Sequence, residues 1–353
     1  MSLKALFLLL TFFFVINNQA FPQTGKILAT ASSSEDKNAF PGSSAVPEKA
    51  ISGDLIRISK ENHVNTMSMN NKPCASVKDG TRLVFECWDA LEGRSKEYFD
   101  NPDIKREPGY ANPATGPIFI EGALPGNTLE IEIHDIRLSR YGFITLNKNQ
   151  FIDGADRENS YIETEVVGQQ MFYNGRKMPV QSMVGVIGTG DSRGLYTQEV
   201  GDNGGNMDTR IIKKGSKVLL PVYVEGALLA MGDVHAVMGD GEVFGQGPEF
   251  GAEIEVTVRV RQDLKIQRPM VINADRIACI ASDPNVLIAK NQVVSDMGRY
   301  LVNVCGFSSI DASALIAFYG NLCFSQVVNP QKTVRMEIER KYIKLFNFKT
   351  LPY

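Results

Sequence analysis

From Ile51 onward the apolar residues recur in short runs with the two-residue period of strands, each run bounded by turn residues. "TRLVFECW" follows Asp79-Gly80, "GPIFIEGAL" precedes Pro125-Gly126 and "NTLEIEIHDI" follows it, "SKVLLPVYVEGALLAM" follows Lys214-Gly215, and "AEIEVTVRV" alternates without a break. Side chains point to opposite faces along a strand, so each run offers one apolar face to a core. Strands this frequent predict a mainly β fold of sandwich-like or barrel-like lobes. Helical spacing arrives only late. "PNVLIAKNQVVSDMGRYLVNVCG" carries Val286, Leu287, Val293, Val294, Met297, Leu301 and Val304 as one predicted buried stripe, closed by Gly306. "SIDASALIAFYGNL" predicts a second, shorter helix with a capping-type start, and "RMEIERKYI" returns to strand alternation. A smaller α+β portion is therefore expected over about 266–353.

One stretch echoes another. "PIFIEGAL" at 117–124 and "PVYVEGAL" at 221–228 share Pro, Glu, Gly, Ala and Leu, and differ only by Ile/Val and Phe/Tyr exchanges. The echo predicts an old duplication of a β unit, with lobes at about 51–200 and 201–265 and a cleft between them suited to a site. Coincidence over so short a stretch is the other reading.

The N-terminus breaks the pattern. "MSLKALFLLLTFFFVINNQA" sets Lys4 ahead of an apolar run from Ala5 to Ile16 and ends on a small residue, which predicts a secretory signal peptide over 1–20. The rival reading, a membrane anchor, needs roughly 20 apolar residues, more than this run supplies. Residues 21–49 are rich in Ser, Ala, Pro and Gly and predict a flexible tether to a single catalytic unit over 51–353. After cleavage no membrane association is expected.

Charge narrows the partners. A net charge of -3 spread over 353 residues gives no broad basic field, so nucleic acid is not an expected partner. The 5 cysteines have no CxxC spacing, which argues against a zinc ribbon or a disulfide scaffold. The chemistry concentrates in "GDVHAVMGDGEV", residues 232–243, which holds Asp233, His235, Asp240 and Glu242, one of only 3 histidines in the chain among them. Here the strand is expected to end at Met231, and Gly232, Gly239 and Gly241 to let the backbone turn so that the acids converge. Converging carboxylates raise one another's pKa or require a cation, and imidazole with carboxylate suits zinc while oxygen donors alone suit calcium. A solvated acidic loop is the alternative. "GDNGGNMDT" at 201–209, with Asp202, Asn206 and Asp208, and "ANPATGPIFIEGA" at 111–123, with Asn112 and Thr115, are two further glycine-rich turns. None reads as a phosphate loop. His134 reads as a strand surface residue, and His63 has no supporting motif.

These turns in this order resemble the acetamidase/formamidase family of amide hydrolases. The matching stretches are "NPATGPIFIEGALPGNTLEIEIHDI", "MVGVIGTGDSRG", "GDNGGNMDTRIIKKGSKVLLPVYVEGALLAMGDVHAVMGDGEV" and "GNLCFSQVVNPQKTVRMEI", spanning about 51–342. The resemblance implies a mostly β, homo-oligomeric hydrolase of small aliphatic amides, and a divalent metal, zinc or calcium. Carried over by motif, Asp208 and His235 bind the cation and Glu242 handles the proton, with Asp240 beside it as a second catalytic acid. Asp233 and Asp89 are further ligand candidates, and Asn206 and Asn112 are expected to hydrogen-bond the amide. Family members commonly carry Leu, Gln and Cys where this chain has Val234, Met238 and Phe244. With no Ser-x-x-Lys or Cys-His pair, metal-assisted attack by water is preferred over a covalent acyl intermediate. The competing readings are a secreted binding protein that keeps the scaffold and its cation without catalysis, and a hydrolase of a related C–N bond such as a lactam.

Overall fold

The structure, a computed structural model, describes residues 55–146 and 159–346. The expected signal peptide and tether at 1–49 lie outside the described residues. Alternation along the chain becomes pairing across it. The strands that build the site are β1 (Arg82–Cys87), β2 (Ala114–Ile120), β3 (Thr128–Leu146), β4 (Met183–Gly188), β5 (Gly204–Asn206), β6 (Lys217–Pro221), β7 (Leu229–His235) and β8 (Glu249–Arg261). β8 is the spine, antiparallel to β1 along Ala252–Thr257 and to β3 along most of its length. β7 runs antiparallel to β4, β2 and the start of β8, while β6 lies against β3. The chain is mainly β, as the two-residue period predicts, and strands from 51–200 pair directly with strands from 201–265.

The alternating residues meet in one core. Phe85, Ile118, Ile131, Leu220, Met231 and Ile254 are fully buried within it. Each such side chain contributes about 1.5–3 kcal/mol on leaving water, so the alternating stretches have every reason to stack. The run "KVLLPVYVEGALLAM" is two strands rather than one. It stops at Pro221 and resumes at Leu229, with Gly226, Ala227 and Leu228 all at positive φ. The two echoing stretches lie together: the Ile120 amide donates to the Gly226 carbonyl at 3.0 Å and the Gly226 amide to the Ala123 carbonyl at 2.8 Å. A side chain at Gly226 would strike the Phe119 ring, its Cβ falling 2.1 Å from a ring carbon.

The C-terminal portion adds β9 (Met270–Ile272), β10 (Arg276–Asp283), helix α1 (Val286–Asn303), helix α2 (Ser309–Tyr319), β11 (Asn321–Gln326), β12 (Lys332–Glu339) and helix α3 (Arg340–Phe346). The Asn285 side chain caps α1 by accepting from the Leu287 amide at 2.9 Å. Its buried stripe is Ala289, Val293, Met297, Tyr300 and Leu301. Leu287, expected in that stripe, is 66% exposed because it sits half a turn away from the Ala289 face. The alternation of "RMEIERKYI" ends at Glu339, where α3 begins; it is fixed by Tyr342 stacking on Tyr319 and by buried Ile343. A short helix, Ser95–Asp100, has no counterpart in the sequence reading. Among the described residues no helix is long and apolar enough to cross a membrane.

Candidate active site

β7 does not end at Met231; it continues to His235 and carries Asp233 and His235 on one face. Antiparallel pairing sets His235 opposite Met183 of β4 and opposite Glu249, the first residue of β8. Beneath Asp233 lies Gly185 of β4. A Cβ there would fall 2.5 Å from both Asp208 Oδ1 and Asp233 Oδ2, so only bare backbone lets the two carboxylates lean over it. The same glycine holds Asp208 in place, since its carbonyl accepts from the amides of Met207 at 3.1 Å and Asp208 at 3.3 Å. Gly247 does for the imidazole what Gly185 does for the acids: a Cβ there would lie 2.9 Å from the His235 ring.

Four segments thus converge. The ligand-type atoms of Asp208, Asp233 and His235 lie within 4.8 Å of one another. His235 Nε2 is 3.6 Å from Asp233 Oδ1 and 3.3 Å from Glu249 Oε1. The Glu242 carboxyl lies against that of Asp208. Asp208, Asp233, His235, Glu242 and Glu249 are each at most 6% exposed. Asn112, Asp208, Asp233 and Glu242 all adopt left-handed backbone, with φ of 58°, 40°, 56° and 45°. Non-glycine residues enter that region rarely and at a cost of about 1–3 kcal/mol each, and such residues gather at functional sites.

Electrostatics is the most telling feature. Four buried carboxylates face one imidazole, yet Asp208 Oδ1, Asp233 Oδ1, His235 Nδ1, Glu242 Oε2 and Glu249 Oε2 are all buried with no hydrogen-bond partner among the described residues. Burial, then the charges of Glu242 and Asp233, push the Asp208 carboxyl well above its usual range. Burial lifts Glu242 to about 7 and Glu249 to about 8, against the opposing pull of His235. Burial disfavours a charged imidazole, but Glu249 and Asp233 outweigh it and raise His235 well above its ordinary value. Orphaned buried atoms of this kind each cost about 1–3 kcal/mol or more, so the cluster calls for a shared positive charge. Asp208, Asp233 and His235 form a group able to hold a metal ion.

Asp233, His235, Glu242 and Glu249 floor a cavity of about 220 Å³, lined also by Leu91, Asn112, Phe143, Gln198, Asn206 and Asn329. Asn112 Nδ2 donates to Asp233 Oδ2 at 3.0 Å, so this residue orients the carboxylate. Asn206 donates from Nδ2 to the Gln198 carbonyl at 3.4 Å, while its buried Oδ1 has no partner. The other two acids stand apart. Asp89 folds back on its own loop, Oδ1 accepting from the amides of Leu91 and Gly93, both at 2.9 Å. Asp240 points to Arg335 at 2.7 Å and Arg210 at 3.2 Å. His134 donates to or accepts from Thr257 at 2.7 Å, and His63 pairs with Glu92 at 3.3 Å. Sequence reasoning missed Glu249. The signal was available: "GDVH" and "PEF" are strand ends joined by a glycine-rich loop, and antiparallel register across it puts Glu249 beside His235.

The profile of the Acetamidase/Formamidase family matches residues 190–316, which include both GGNMD and GDVHAVMGDGE. A crystal structure described as a predicted acetamidase/formamidase, from the thermophile Thermoanaerobacter tengcongensis, superposes with a TM-score of 0.77 at 33% identity, covering 84% of this chain and 99% of that one. The crystal structure of acetamidase from Bacillus halodurans gives a TM-score of 0.74 at 33% identity, covering 82% and 99%. A formamidase from Methylophilus methylotrophus is 26% identical over 250 residues, 54% of this chain and 61% of its own length. The chain thus spans less than two thirds of the length of the curated relatives it matches. With a shared motif region and two near-complete structural matches at one-third identity, the chain belongs to the acetamidase/formamidase family.

Proposed function

We propose that the chain is an exported hydrolase of small aliphatic amides, such as formamide and acetamide, releasing a carboxylate and ammonia. The observation that carries this reading is the buried, unmatched group of Asp208, Asp233, His235, Glu242 and Glu249, all but Asp208 lining a small cavity. A cavity of about 220 Å³ suits a molecule of a few heavy atoms together with water. The names of the relatives support the same substrate class, and export rests on the N-terminal apolar run.

The residues fit a divalent cation: orphaned carboxylate oxygens and an imidazole are buried within ligand-sharing distance. An imidazole among carboxylates favours zinc over calcium, which takes oxygen donors. Held by Asp208, Asp233 and His235, such an ion supplies a positive centre that polarises a carbonyl and acidifies water. The chain's own groups do the rest. Glu242, buried beside Asp208, takes a proton from water and returns it to the departing nitrogen, where an amine needs it. Glu249 holds the His235 ring from the opposite strand. Asn206 Oδ1 accepts an N–H of the substrate, its orientation set by the bond to Gln198. Asn112 keeps Asp233 aimed inward.

The test is ammonia release from formamide and acetamide by purified protein, before and after treatment with a chelator and after adding back zinc. Turnover that chelation abolishes and zinc restores is expected. Silence across a panel of short amides, with metal bound in stoichiometric amount, would overturn the reading.

A further inference from the structure

Arg335 is the largest fully buried side chain among the described residues, only 1% exposed, and lies in the middle of β12. All three of its nitrogens are engaged. Nε meets Glu337 at 2.5 Å, one terminal nitrogen donates to the Phe324 carbonyl at 3.0 Å and Ser325 Oγ at 3.3 Å, and the other reaches Asp240 Oδ2 at 2.7 Å. Glu337 is held in turn by Arg276 at 2.5 Å. So a guanidinium rooted in the C-terminal sheet extends to the turn that carries Glu242. A buried charge keeps such a place only when its partners are complete and well aimed, and this one's are.

The turn has two further ties to the same sheet. The Gly241 amide donates to the Ser325 carbonyl and the Val327 amide to the Gly241 carbonyl, both at 3.0 Å. Glu242 therefore sits immediately beyond a residue clamped on both backbone sides and preceded by a side chain gripped from within the C-terminal core. It also has a reason to need gripping. Its carboxyl is buried, the residue only 6% exposed, and its backbone stands at the left-handed φ of 45°. Unrestrained, the residue would relax to ordinary backbone and carry its carboxyl out of the cluster.

We infer that Arg335 and Asp240 are positioning residues, a buried strut through which the C-terminal sheet holds Glu242 over the carboxylate cluster. The inference rests on the proposed amidase reading for the role of Glu242 in turnover, but not for the strut itself. Asp240 thereby acts through its neighbour instead of meeting the substrate.

Asp240→Ala is the decisive variant, because the Asp240 side chain is 36% exposed and Arg335 keeps Glu337, Phe324 and Ser325 as partners when it is removed. Misplacing a catalytic group by an ångström costs on the order of 100-fold, so kcat is expected to fall about 10- to 100-fold with KM changed by less than about threefold. Asp240→Asn, which keeps an acceptor for Arg335, should recover most of that loss. Hydrogen exchange supplies a readout independent of turnover: the Gly241 and Val327 amides should lose protection in Asp240→Ala and Arg335→Lys, while amides of Leu229–His235 keep theirs. Unchanged kcat in Asp240→Ala would overturn the inference, and so would kcat, KM and melting temperature all degrading together. If the wild-type protein releases no ammonia from any amide, the functional reading fails. The strut then stands or falls on exchange alone, protection lost at Gly241 and Val327 supporting it and protection retained refuting it.

Discussion

Two groups of glutamates on one strand have opposite fates. Glu253 and Glu255 of β8 meet guanidinium groups: Arg137 lies 2.9 Å from Glu253 and 3.2 Å from Glu255, Arg82 lies 2.5 Å from Glu255, and Arg57 also pairs with Glu253. Glu249, on the same face at the start of the strand, has no cation among the described residues but the His235 ring, and burial pushes it up to about 8. The residue type and strand are shared; depth of burial and the supply of counter-charge differ. A ladder of matched charges is what a solvated sheet face needs. An unmatched group under cover is costly to the fold, and persists where something from outside completes it.

The sharpest way to break that contrast is to neutralise the unmatched side. Glu242→Gln keeps the shape and removes the exchangeable proton, so turnover should fall by about 100- to 10,000-fold with no loss of melting temperature. Near-normal ammonia release from this variant would remove Glu242 from the chemistry. His235→Ala should leave the purified protein with far less bound metal by elemental analysis, and a full complement would deny ligation by the imidazole. Next comes Gly185→Ala, which removes no ionisable group. Its Cβ would force Asp208 and Asp233 off their present places, so zinc affinity should drop by about 10- to 100-fold in a competition titration, the range seen when groups supporting ligands are altered. The smallest effect is expected on the matched side. Glu253→Gln should cost about 0–1 kcal/mol in denaturant unfolding and leave turnover within about twofold, as partly exposed pairs do. A large activity loss there would blur the distinction between ladder and site.

Much of the fold was legible because alternation is a local property. The runs around Phe85, Ile131 and Ile254 needed only a two-residue count, and α1 only an apolar stripe and a closing glycine. The break within "KVLLPVYVEGALLAM" was not legible, since it depends on Gly226 to Leu228 turning against Phe119, about a hundred residues earlier in the chain. In the site, GGNMD and GDVH flagged Asp208, Asp233 and His235 because glycine and acid crowd together there. Glu249 was hidden by needing strand register, and Gly185 by having no side chain to notice. Asp240 and Glu242 look alike in the sequence. Their surroundings separate them, and the buried partner of Asp240, Arg335, lies 95 residues away.

The left-handed backbone at Asn112, Asp208, Asp233 and Glu242 carries a practical consequence for anyone hardening this scaffold against heat. Glycine adopts that conformation freely, so a library screened only for survival at high temperature should enrich glycine at these four codons. The toughest survivors would be the inert ones.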